Sequence, residues 1–175
     1  MFKSAQTNVL FLAIFAFLNI ISINLSGQEI EHDHDHDHLH DVHKYHLGVG
    51  VSGAYLTGEQ VLAPGIDLHF LRQLGSKQNW GVGLGYEVIL KENVHNNISL
   101  MANVHTTKFL SFNAGPGFTF GKHDGDMEFS PALHAEAVFE FDINKIHLGP
   151  VAGFGLDKEE SHVSLGIHVG YGFYE

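Results

Sequence analysis

Histidine sets the chemistry open to this chain: it has 15 in 175 residues, with no cysteine to compete for a metal. Six crowd into one short stretch, Glu29–His43, which reads EIEHDHDHDHLHDVH. His32, His34, His36, His38 and His40 alternate mainly with Asp33, Asp35 and Asp37, and His43 follows. In an extended chain a period of two places the imidazoles on one side and most carboxylates on the other. Neighbouring imidazoles can then share one ion of zinc, nickel or copper(II), with carboxylate or water completing the shell. Overlapping sites of similar affinity suit a buffer or a capture device, with zinc as the first candidate. A plainer reading is a solvated acidic leader that gains charge as pH falls below the histidine pKa. The remaining histidines, among them His69, His105, His147 and His168, stand far apart in sequence, so only a folded scaffold can bring them together.

Composition narrows that scaffold. Lys and Arg number 9 against 20 Asp and Glu, which leaves no basic face for nucleic acid. The absence of cysteine excludes disulfides, thiolate metal sites and a lipidated N-terminal Cys. With 14 Phe, 20 Gly and only 17% charged residues, the chain is too aromatic for disorder and too glycine-rich for helices. An all-β domain is expected.

Residues 1–27 read as a secretory signal peptide. Lys3 supplies the positive end, Val9 to Leu18 is an unbroken apolar run, and Leu25-Ser26-Gly27 offers a small residue for cleavage. The run is shorter than the roughly 20 residues of a spanning helix. Removing this segment takes Lys3 from the basic residues and nothing from the acidic ones. Residues 28–43 then form a His/Asp-rich tail that cannot bury a core and is expected to be disordered. Residues 44–175 hold the folded domain.

Within that domain apolar residues alternate with small or polar ones, and turn clusters interrupt the alternation at even spacing. Strands are predicted near 44–56, 61–74, 78–90, 95–106, 108–120, 128–142, 145–157 and 161–174. Short links make neighbours antiparallel. One face carries Leu47, Val49 and Val51, then Val82, Leu84 and Tyr86, and at the end Val163, Leu165, Ile167 and Val169. The other carries polar groups and glycines such as Gly48, Gly50, Gly81, Gly83 and Gly85. A soluble sandwich needs an oily inside and a charged outside; here the small, polar face cannot serve as a core. Aromatic residues gather at strand ends, with Tyr45, Trp80, Phe141 and Phe173 at one rim and Tyr55, Phe120 and Phe129 at the other. The expected fold is an eight-stranded antiparallel up-and-down transmembrane β-barrel in contact with lipid. Pro116 and Pro150 resist it, because each removes a ladder hydrogen bond that lipid cannot replace.

The signal peptide, the eight alternating strands and a closing strand running from Ser164 to Tyr174 resemble the small eight-stranded outer-membrane barrel proteins. The resemblance covers residues 44–175 and implies a bacterial outer-membrane location. It also implies handling by the assembly machinery, which in that family reads an aromatic residue ending the last strand; here Glu175 follows Tyr174. It leaves function open, since members range from adhesins to lipid-modifying enzymes. Barrels of this kind keep both chain ends in the periplasm, so the tail is expected there. The longest predicted outer loop, Gly121 to Met127, is short for an adhesin.

Eight strands leave an interior filled by side chains, so a diffusion pore is not expected. Parity puts His46, His69, His105, His134, His147, His162 and His168 inside with Asp67, Glu87, Glu136 and Glu140, and no Lys or Arg to balance them. These groups can pair as hydrogen-bonded structure or hold a divalent metal, for which His69, His105, His147 and His168 are the favoured set. His162 and Ser164 form a His-x-Ser similar to the pair of outer-membrane lipid A deacylases. That family's pair faces lipid, whereas both residues here point inward, so no enzyme is expected. The leading expectation is a barrel that binds divalent metal through its tail and also its lumen; the alternative is a structural barrel with no metal role.

Overall fold

The computed structural model describes residues 44–75, 78–123, 126–143, 145–158 and 160–173. The predicted signal peptide and the tail, with His32, His34, His36, His38, His40 and His43, lie outside the described residues. Among the described residues the structure is all strand: β1 (Tyr45–Leu56), β2 (Val61–Leu74), β3 (Trp80–Ile89), β4 (His95–Thr107), β5 (Leu110–His123), β6 (Asp126–Phe139), β7 (Phe141–Ile143), β8 (Ile146–Asp157) and β9 (Ser161–Phe173). Consecutive strands pair antiparallel except β6 and β7, β1 also pairs with β9, and β8 pairs with both β6 and β7. The ring is therefore closed, and β6 and β7 are one stave interrupted at Glu140, which makes eight staves. Closure removes sheet edges, so backbone polar groups bond strand to strand where lipid offers nothing.

The alternation sorts side chains by chemistry. Leu165 is 73% exposed, Leu100 64% and Trp80 63%, on the outside of the ring. The buried residues are largely polar, including His46, His69, Asn97, Asn103, Asn113, His134 and Glu136. This is a transmembrane β-barrel, with an apolar outer belt and a polar filling. Ring pairs mark both rims: Phe109 and Phe141 at the end that holds the start of β1, and Phe120 and Phe129 at the far end, each with centroids 6.1 Å apart. Inside the far end Ala54, Leu56, Ala63 and Ile89 form a small apolar cluster. Nearby, at the surface, Lys91 donates to Glu59 at 2.7 Å and to Glu160 at 3.0 Å. Partial burial opposes the Lys91 charge, but these hydrogen bonds outweigh it and raise the ammonium above its ordinary value.

The structure shifts two predicted boundaries. Strands β5 and β6 stay paired as far as His123 and Asp126, so the strands take up most of the expected loop from Gly121 to Met127. The predicted strand 128–142 is broken at Glu140.

The break also answers the proline problem. Pro150 pairs with Ile167 on β9, but on its other side stands the gap between β6 and β7. Pro116 pairs with Leu133 on β6, and its β4 side lies where the pairing lapses between Ser99–Gly117 and Ala102–Ala114 without a change of register. Each proline thus sits where one ladder is already interrupted, so its missing N–H leaves no orphan carbonyl in a regular run. The residue before each is glycine for a steric reason. A Cβ on Gly115 would overlap the Leu100 carbonyl, and one on Gly149 the Phe139 carbonyl.

Candidate metal centre in the barrel interior

Interior space is made by pairing histidine with glycine across strands. His69 stands between Gly48 and Gly85, His134 between Gly115 and Gly155, and His168 between Gly50 and Gly149. The clearances are tight: a Cβ on Gly48 would strike the rings of His69 and His168, and one on Gly170 the rings of His46 and His168. The imidazoles therefore occupy the volume the glycines vacate.

At the end nearest the start of β1 this packing assembles a histidine cluster from β1, β2 and β9. His46, His69 and His168 are all buried, and each offers a nitrogen within 4.8 Å of the others. Their rings stack, with centroids 4.9 Å apart for His69 and His168, 5.4 Å for His46 and His69, and 5.6 Å for His46 and His168. His168 is 0% exposed, and neither Nδ1 nor Nε2 has a hydrogen-bond partner. A buried imidazole with both nitrogens unsatisfied is costly. Ligand atoms around a tetrahedral zinc stand about 3.4 Å apart, so the stacked rings must turn toward one another to share an ion.

His147 lies against this cluster, its centroid 5.2 Å from that of His46. Its Nδ1 is 2.6 Å from Asp142 Oδ1. A carboxylate on one imidazole nitrogen is the arrangement that orients a ligating histidine.

The rest of the interior is wired differently. The Gln73 amide donates to Asn103 at 3.1 Å and reaches His105 Nε2 at 3.2 Å. Asn103 donates to Asn113 at 2.8 Å, and Asn113 to Glu136 at 3.2 Å. Glu136 Oε1 lies 2.9 Å from His134 Nε2. His134 Nδ1 is 3.5 Å from Glu87 Oε2, and Glu87 Oε1 is 3.2 Å from His162 Nε2. This chain of polar contacts crosses the lumen from β4 to β9, with Ser111 on Glu140 at 2.6 Å beside it.

The sequence-selected set is thus divided. The structure brings His69 and His168 together, places His147 beside them, and leaves His105 on Gln73 in the polar chain. It adds His46, whose inward parity was legible but whose proximity was not. The cross-strand glycines Gly48 and Gly170 were the available signal.

Known proteins agree with the architecture. The chain aligns with the crystal structure of Neisserial surface protein A at a TM-score of 0.56 and 10% identity, over 74% of this chain and 96% of that one. A de novo designed transmembrane β-barrel matches at a TM-score of 0.51 and 16% identity, over 71% and 94%. The fold is that of the small membrane barrels. No protein-family model matches the sequence, and no curated protein does. At these identities the likeness speaks for the fold alone. Of the His-x-Ser pair, His162 Nε2 faces Glu87, and Ser164 Oγ packs over Gly153.

Proposed function

We propose that the chain is a bacterial outer-membrane barrel that binds a divalent metal, zinc ahead of nickel or copper(II). The lumen site is His46, His69 and His168, with His147, oriented by Asp142, as a fourth ligand. The observation that carries this reading is His168, buried among two other imidazoles with both nitrogens unsatisfied. In this reading residues 1–27 direct export, the assembly machinery inserts the barrel, and the tail from His32 to His43 hangs in the periplasm as an additional capture segment. Its support is the alternating sequence alone.

Zinc titration of the detergent-refolded mature protein tests both parts. Removing residues 29–43 is expected to abolish several weaker sites and leave one tight site. His168→Leu is expected to remove that tight site. Zinc stoichiometry unchanged by either alteration would overturn the proposal and leave a structural barrel, a role for which the hydrogen-bonded chain from Gln73 to His162 is the supporting observation.

A further inference from the structure

A second constellation lies at mid-barrel and has different chemistry. Asp67 and Glu87 stand directly opposite each other on β2 and β3. Together with His69, His134 and Glu136 they line a cavity of about 10 Å³, close to the room one water-sized sphere needs. Glu87, His134 and Glu136 are 6%, 5% and 6% exposed. Several atoms on this cavity have no hydrogen-bond partner: Asp67 Oδ1, Glu87 Oε2, His69 Nδ1 and His134 Nδ1. Glu87 Oε2 and His134 Nδ1 come no nearer than 3.5 Å to each other.

Three carboxylates converge here, and no Lys or Arg is among the buried residues described. Buried like charges need a compensating cation. His134 meets Glu136 through Nε2 at 2.9 Å, but its Nδ1 and that of His69 have no hydrogen-bond partner, which leaves Glu87 Oε2 and Asp67 Oδ1 unpaired. His69 Nδ1 stands 4.0 Å from Glu136 Oε2.

We propose that this cavity is a second divalent-cation site, held by Asp67, Glu87 and His134 Nδ1, with Glu136 orienting His134 through Nε2. Its donors are mainly carboxylate oxygens, so it favours a harder ion such as Mn²⁺ over the ions preferred by an all-imidazole cluster. The site does not require the imidazole cluster, because His69 turns Nε2 toward Gly48 and only Nδ1 toward Glu136. Packed walls mean that the ion is captured as the barrel folds and exchanges slowly afterwards.

The test is to refold the full chain with Mn²⁺, strip accessible metal on a chelating resin, and count the retained ion by EPR after acid release. One equivalent is expected in the native sequence and none in an Asp67→Asn, Glu87→Gln double variant, whose tight zinc site should persist. Equal retention by both proteins, or no retention by the native sequence, overturns the proposal. Should the double variant not fold, pulsed EPR on the retained ion of the native protein decides. Nitrogen coupling from a single imidazole supports the assignment, and coupling from several or none refutes it. Loss of the zinc site in His168→Leu with Mn²⁺ retained separates this proposal from the one above.

Discussion

Two regions of one lumen use the same side chain in opposite ways. In the chain from Gln73 to His162, each imidazole meets an amide or carboxylate, and the polar groups largely satisfy one another. In the cluster of His46, His69 and His168 the rings meet each other, and His168 has no polar partner. Both arrangements rest on the same glycine clearances, so packing does not distinguish them. The neighbours do: His162 is held by the carboxylate of Glu87, whereas the nitrogens of His168 stand among other imidazoles without a hydrogen-bond partner.

That contrast can be broken experimentally. The largest effect is expected from Glu136→Leu, which strands His134 and Asn113 in a buried setting. A loss of about 3–5 kcal/mol is expected from the denaturant midpoint of the refolded barrel. A loss below about 1 kcal/mol would show that the polar chain does not hold the fold together. Next comes zinc itself. At a free concentration one hundred times Kd, binding to the native state should add about 2.7 kcal/mol. A chelator should reverse that gain, and lowering the pH should too, because imidazole must shed its proton to bind the ion. No gain on adding zinc would remove the ligand half of the comparison.

His168→Leu sharpens the contrast from the other side. The substitution keeps bulk and removes two unsatisfied nitrogens, so metal-free stability should stay within about 1 kcal/mol of the parent while the zinc increment disappears. A large metal-free loss would mean that His168 has structural partners after all. The smallest effect belongs to the rim, where Lys91→Met breaks a contact with exposed Glu59 and a part-buried one with Glu160. About 1 kcal/mol or less is expected, shrinking further with added salt.

Parity made much of this readable from sequence. Alternation from Leu47 to Val51 and from Val163 to Val169 fixes which side chains face lipid, and the same count puts each histidine inside. What parity lacks is height. Neighbouring strands in a barrel are staggered, so residues level in the lumen need not be those paired in the ladder. That is why His105 looked suitable and met Gln73 instead, while His46 was not selected. The break at Glu140 escaped for a related reason: the sequence runs on in strand-like fashion, and only Pro150 across the ladder betrays the interruption. Turn geometry was partly hidden as well. The left-handed residue closing the Thr57–Gln60 turn is Gln60, with φ of 58°, and not Gly58.

The glycines facing the histidines carry a consequence for how such a chain can evolve. Where a methyl group on Gly48 would collide with His69 and His168, neither side of the pairing can change size alone. Drift at one position must be answered across the ladder, large for small. Related sequences should therefore show paired exchanges at these positions, with histidine lost wherever the opposing glycine has gained a side chain. An alignment that broke this rule would mark a barrel whose interior had been rebuilt for other work.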